Sequence, residues 1–232
     1  MAETEENYLP YGSYELVETK APTGYSINRD WNPTIEVHDS SQILIAGDSA
    51  LTDDAARGDI SFVKVDGTNM RRLQNVPFLI TSRTTGESHI AVTDVNGHFD
   101  SAELDKTVQV NDNDSAFADG EIDESRLDRS RGVWFAGNST ESNPRNEKGA
   151  FPYDTYVFQE LQTSSNIMYE MVSFEVTVTL DGQKIDLGTV DDNPVPHVVT
   201  MLLDRDTNDH IAAPGAVTLN DRIDYHALRT DK

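Results

Sequence analysis

Apolar and polar residues alternate along this chain in short runs, and three of the runs end on a charge that keeps the apolar phase. In GDISFVKVD, Ile60, Phe62 and Lys64 share a face. In YDTYVFQEL, Tyr156, Phe158 and Glu160 do so, and in KIDLGTVDD, Ile185, Leu187 and Asp191, with Thr189 between. Side chains alternate across a strand with period two, so all three charges are expected on the core side. A lone buried ammonium or carboxylate is expensive. A lysine, a glutamate and an aspartate brought together can neutralise one another, or they can react.

The same alternation predicts strands at 13–19, 34–38, 42–46, 59–65, 76–82, 88–94, 155–161, 172–180 and 184–190, each rich in β-branched and aromatic residues. Turn signals TTGE (84–87), VNGH (95–98) and LDGQ (180–183) separate several of them. No long helical period interrupts the pattern. The expected fold class is all-β, with sandwich modules in tandem.

Composition narrows the functions. A chain of 232 residues allows one or two domains. Its formal charge of -23 would repel nucleic acid and anionic membrane and suits a well-hydrated protein. Cysteine is absent, which excludes disulfides, Cys-based zinc sites and thiol nucleophiles. No stretch is apolar enough to span a membrane. The acidic N-terminus MAETEENYLP shows no signal peptide, which says little about where the parent protein resides.

An internal echo organises the chain. YGSYELVETKAP (11–22) and YDTYVFQELQTS (153–164) align without a gap, placing Glu18 on Glu160; downstream, ALTDDAARG (50–58) is similar to GTVDDNPVP (188–196). Residues 1–57 therefore read as the C-terminal part of one domain and 58–193 as a complete copy. An acidic insertion at about 100–150 interrupts the copy, with VNDNDSAFADGEIDESRLDRSR at its centre. A loop of that length inside a domain is usually functional or mobile. Its spacing does not meet that of an EF-hand, and GVWFAG (132–137) is expected as a strand that anchors it.

YELVETKAPTGY (14–25) resembles the signature of Cna protein B-type, or SpaA-like, domains. GDISFVKVDG (58–67), VPFLITSRTTGESHIAVTDVNG (76–97), KGAFPYDTYVFQEL (148–161) and SFEVTVTLDGQKIDLGT (173–189) resemble a longer variant of the same domain. The resemblance implies transthyretin-like sandwiches of Gram-positive surface adhesins and pilins: an extracellular, wall-anchored protein whose partners are its own neighbouring domains and, for an adhesive module, host matrix or glycan. It also implies an intramolecular isopeptide bond. Lys64 falls on the family's lysine and Glu160 on its assisting glutamate, and the acceptor lies in TVDDN. Strand phase ranks Asp191 first, Asp192 second and Asn193 third. Glu18, with Asp53 as acceptor, holds the corresponding place in the preceding unit, where no upstream lysine strand is seen, so Glu18 is expected as an ordinary, partly exposed carboxylate. HVVTMLLDRDTNDHIAAPGAVTLNDRIDYHAL (197–228) resembles the start of a VaFE-type, ester-forming repeat, which would assign roles to Thr200 and Asp221.

The chemistry also has a physical case. Burial lowers an amine's pKa and raises a carboxyl's. A protonated Glu160 would then polarise the acceptor carbonyl and shuttle protons. Folding would hold amine and acyl carbon together, an advantage worth about 7–11 kcal/mol of barrier. Such a reaction occurs once per molecule, so no enzymatic turnover and no cofactor or metal is expected. The same residues can instead form a buried ion pair with no bond, or Lys64 can snorkel to solvent. The six histidines show no ligand spacing and are expected at the surface. Trp31 reads as an exposed loop residue, and Trp134 as core or as part of an adhesive surface on the insertion. A glycosidase with paired carboxylates is the least supported alternative.

Overall fold

The computed structural model describes residues 9–39, 42–45, 52–104, 112–138, 144, 147–211, 214–216 and 218–226. Strands β1 (Gly12–Glu15), β2 (Tyr25–Ser26), β3 (Thr34–Asp39), β4 (Gln42–Ile45) and β5 (Asp54–Ala55) come first. The central unit follows with β6 (Arg57–Asp66), β7 (Pro77–Ser82), β8 (Ser88–Val92) and β9 (His98–Asp100). Within the insertion lie β10 (Phe117–Ala118) and β11 (Glu121–Ile122). Then come β12 (Phe151–Pro152), β13 (Asp154–Glu160), β14 (Ser173–Val178), β15 (Lys184–Asp192), β16 (His197–Asp204) and β17 (Leu219–His226). The helical pieces among the described residues are two short 3-10 turns, Asp112–Ala116 and Glu124–Arg126. The expected all-β class holds. The strand expected at 13–19 is a four-residue strand, Gly12–Glu15.

Two sheets build the central unit. In one, β6 pairs in parallel with β15 along one edge and antiparallel with β12 and then β9 along the other. The second is antiparallel, in the order β14-β13-β7-β8. The alternation read from the sequence decides what meets between them: Ile60 and Phe62 from β6 face Phe78 and Ile80 from β7, Tyr156 and Phe158 from β13, and Val176 and Val178 from β14, all buried. Phe62 packs edge-on against Phe78 with ring centroids 5.1 Å apart, and Phe158 stacks on Phe174 at 5.1 Å. Such pairs add specificity to the apolar burial that drives the sandwich together.

The acidic insertion, expected as a loop, carries built structure. Asp119 and Gly120 close the β10–β11 hairpin with φ of 53° and 85°. Both central residues of this turn are left-handed, which is what an Asp-Gly pair supplies. GVWFAG does not form the expected strand, yet it does anchor the insertion: Val133, Trp134 and Phe135 are buried, and Phe135 N–H donates to Ala150 O. Trp134 lies over the guanidinium of Arg57, 3.6 Å from its carbon, and that buried guanidinium donates to the carbonyls of Phe135, Gly149 and Ala150. Trp134 is therefore core and offers no adhesive surface. Trp31, expected exposed, is half-buried.

His89 departs from the expected surface role. Its ring packs edge-on against Phe135, Nδ1 meets Asp114 Oδ2 at 2.7 Å, and Nε2 meets Glu87 Oε1 at 3.0 Å. Glu87 also accepts the N–H groups of Ala136 and Gly137, and Asp114 accepts that of Ile90. The imidazole thus links β8 to both ends of the insertion's described core. Burial alone would favour the neutral ring; the hydrogen bonds and charges of Asp114 and Glu87 outweigh it and raise the pKa from 6.5 to about 9. The stabilisation is complete below pH 6.5 and is lost as pH climbs through about 9. A shift of this size is worth about 3 kcal/mol at most. In urea unfolding, wild type is expected to exceed His89→Gln most near pH 6, with the gap closing by about pH 10. A gap that does not change with pH would mean that the charged imidazole is not the latch.

Candidate functional site

The parallel pairing of β6 with β15 brings the two far ends of the central unit side by side. Lys64 lies in β6 opposite Val190, and Asp192 closes β15 opposite Asp66, so Lys64 and Asp192 are diagonal neighbours. Glu160 ends β13 on the facing sheet. The side chains of Lys64, Glu160 and Asp192 are all fully buried. Lys64 Nζ contacts Asp192 Oδ1 and lies 3.2 Å from Glu160 Oε2, with the Phe78 ring centroid 5.8 Å away. The snorkelling alternative for Lys64 is thereby removed.

The structure corrects the ranked acceptor. Asp191, placed inward by strand phase, is exposed, as is Asn193, while Asp192 faces the lysine. The cause is a bulge. Between the pairs Asp186–Ser61 and Thr189–Val63, Leu187 and Gly188 together oppose one residue, Phe62. Gly188 has a φ of 66° and its N–H donates to Asp186 Oδ1. One extra residue inverts the alternation beyond it: Ile185 and Leu187 are followed on the inner side by Val190 and Asp192, and Thr189 turns out to solvent. A glycine inside a strand pattern is the sequence signal for such a bulge.

The surroundings also treat the two carboxyl groups unequally. Glu160 accepts two hydrogen bonds, from Asn166 Nδ2 at 2.7 Å on Oε1 and from Val172 N–H at 3.1 Å on Oε2, and its Oε2 is ion-paired with Lys64 Nζ. Asp192 Oδ2, by contrast, is buried and has no hydrogen-bond partner among the described residues. Burial pushes the Asp192 carboxyl up to about 7; the Glu160 charge adds to this, and the Lys64 contact opposes it. The acid form of Asp192 is the form with a leaving hydroxyl. Sequence reasoning gave no sign of Asn166 or of the Val172 amide.

Just beyond the site, Asp66 closes the β6–β7 turn. Burial would raise its carboxyl, but hydrogen bonds from the Thr68 hydroxyl and amide, Tyr169 and Asn69 outweigh that and hold it at about 2. Tyr169 belongs to the same β13–β14 loop as Asn166, so this anchor fixes the loop that addresses Glu160.

Glu18 and Asp53 are also brought together. Burial first, then the neighbouring Asp53, raises the Glu18 carboxyl. Glu18 is partly exposed, as expected, with Asp53 as its neighbour. In the N-terminal segment Asp53 meets Glu18 as Asp192 meets Glu160, one residue out of step with the aligned sequences. Thr200 and Asp221 sit on the β16–β17 ribbon opposite Ile223 and Leu202, diagonal to each other and both exposed.

The sheets around this site define an all-β class, and a family comparison adds a match for the first part of the chain. Residues 3–49 match the SpaA family, a prealbumin-like fold domain; that segment contains the YELVETKAPTGY signature. No curated protein matches the chain. Among solved structures, the chain is similar to the Bacillus anthracis TIE protein, at 17% identity over 93% of this chain and 35% of that one, with a TM-score of 0.46. It is similar to BcpA, the major pilin subunit of Bacillus cereus, at 13% identity over 75% of this chain and 40% of that one, TM-score 0.35. It is also similar to the streptococcal ancillary pilin, at 17% identity over 82% of this chain and 44% of that one, TM-score 0.34. The chain thus spans less than half the length of each of these proteins.

The bulge carries a prediction. Nothing lies within 4 Å of where a Cβ on Gly188 would sit, so a substitution there meets only backbone strain. Measured in a Lys64→Ala background, Gly188→Val is expected to cost about 1–2 kcal/mol in denaturant unfolding, and Gly188→Asn clearly less. Equal costs for the two would show that the left-handed backbone is not what the glycine supplies.

Proposed function

We propose that this chain is a load-bearing spacer from a bacterial cell-surface protein, and that residues 58–193 form a complete Cna B-type domain closed by an amide bond between Lys64 Nζ and Asp192 Cγ. The observation that carries the reading is the fully buried amine held against two buried carboxylates, one at each end of its reach. In this reading Lys64 is the nucleophile, Asp192 the acyl donor and Glu160 the proton carrier, acting once per molecule. Residues 1–57 belong to a preceding domain of the same type, and 194–232 begin a further module, the VaFE-type repeat that Thr200 and Asp221 would serve. The partners are neighbouring domains of the same surface protein, and the setting is extracellular. Among the described residues no helix is long and apolar enough to cross a membrane.

The product would join strands whose linked residues are 128 positions apart. Treated as a disulfide would be, a cross-link closing so long a loop stabilises by about 4–5 kcal/mol through the unfolded chain. An adhesive role for the insertion is the weaker reading, since its one tryptophan is enclosed against Arg57.

Intact-mass spectrometry tests the proposal. Wild type is expected to be one water lighter than its sequence mass, and so is Asp191→Ala. Lys64→Ala, Glu160→Ala and Asp192→Ala are expected at full mass. During refolding, the rate of water loss should fall as pH rises through about 7, where Asp192 gives up the proton its hydroxyl needs in order to leave. A wild-type chain at full mass would reduce the site to a buried ion pair.

A further inference from the structure

Asn166 is fully buried in the loop between β13 and β14, and its amide has one workable orientation. Oδ1 accepts the Thr163 N–H at 2.6 Å; Nδ2 donates to Leu161 O at 2.9 Å and to Glu160 Oε1 at 2.7 Å. Rotating the amide by half a turn would set Oδ1 against two acceptors and Nδ2 against a donor, so the backbone itself decides that an N–H faces Glu160.

The N-terminal segment supplies an internal contrast. Continuing the gap-free alignment of Glu18 with Glu160 places Gly24 on Asn166. Gly24 has no side chain to offer, and Glu18 Oε2 is enclosed without a hydrogen-bond partner among the described residues. The amide donor is therefore particular to the unit that holds the lysine.

Resting on the cross-linking reading above, we propose that Asn166 is a positioning residue for that reaction: its Nδ2–H secures Glu160 as the proton acceptor, with Oε2 turned to Lys64, and so leaves the acid proton of the pair on Asp192. The step then balances. Glu160 Oε2 takes a proton from the Lys64 ammonium, and the free amine forms a bond to Asp192 Cγ. The Cγ–OH bond breaks as a second nitrogen proton, relayed by Glu160, joins the hydroxyl to leave as water. One proton stays on Glu160 and one on the new amide.

The test follows unreacted chain, recovered unfolded from inclusion bodies and weighed at time zero, as it is diluted into refolding buffers from about pH 5 to 8, quenched in acid and weighed intact. Losing a hydrogen bond to a charged group should slow water loss by about tenfold or more in Asn166→Leu. Its rate should also fall earlier on the acid side, because Glu160 then competes with Asp192 for the proton. Asn166→Asp is close to isosteric and should show the opposite trend: near wild type at low pH, where the new carboxyl can donate, and slow at high pH, where it repels Glu160. Thermal unfolding in a Lys64→Ala background reports folding separately, and if Asn166→Leu does not fold, the Asp variant decides. Variants that react at the wild-type rate, or are slowed equally at every pH, overturn the positioning role while the cross-link stands. A wild-type chain that keeps its full mass overturns the cross-link and this role with it.

Discussion

A primary ammonium taken out of water is the constraint on which the central sandwich turns. Lys64 is fully buried between two sheets, so the fold must bring it negative charge and keep the total near zero. It does so with one carboxylate from the facing sheet and one carboxyl from the adjacent strand. Two charged acids beside one base would leave an excess of charge in the interior. Hydrogen bonding separates the two: Glu160 accepts from Asn166 and Val172, while Asp192 Oδ2 has no hydrogen-bond partner among the described residues. Packing thereby sets one amine against two carboxyl groups whose surroundings differ.

The same logic fastens the insertion. The insertion docks through Val133, Phe135, Phe117, Ile122 and Leu127, and cationic groups inside the fold add polar ties. Arg57 at the start of β6 gathers three carbonyls and the face of Trp134. His89 on β8 takes a carboxylate on each ring nitrogen. Glu124 of the insertion, in turn, accepts the Ser164 N–H of the loop that carries Asn166. The insertion is thus joined to both sheets and to the loop that addresses the site.

Much of this was legible in the sequence where a short period operates undisturbed. Ile60, Phe62 and Lys64, and likewise Tyr156, Phe158 and Glu160, follow the period of two and lie where it puts them. The reading failed at Asp191 because a single residue, Gly188, breaks that period, and every side chain after it changes face. It was silent on Asn166, since a buried amide in a loop has no periodicity, and only the contrast with Gly24 marks it out. His89 was misjudged because its partners, Glu87 and Asp114, lie two and twenty-five residues away, the distant one inside an insertion that looked unstructured. Phase along a strand is local information; partners that depend on how a long loop folds back are not.

The location of the site explains why such a group belongs at the end of the first and last strands. β6 and β15 run parallel, so tension entering at Arg57 and leaving beyond Asp192 pulls the two strands past each other and loads their hydrogen bonds in shear. Lys64 and Asp192 lie at the far end of that ladder, close to where the chain departs. An ion pair there adds little resistance, because a charged contact yields once water reaches it. A covalent amide at the same two atoms would carry the load from β6 directly into β15, and everything between residues 64 and 192 would be spared the force. The bulge at Gly188 is what makes this geometry available: without it the inward carboxyl of β15 would fall one residue earlier, on Asp191, whose position precedes the end of the strand.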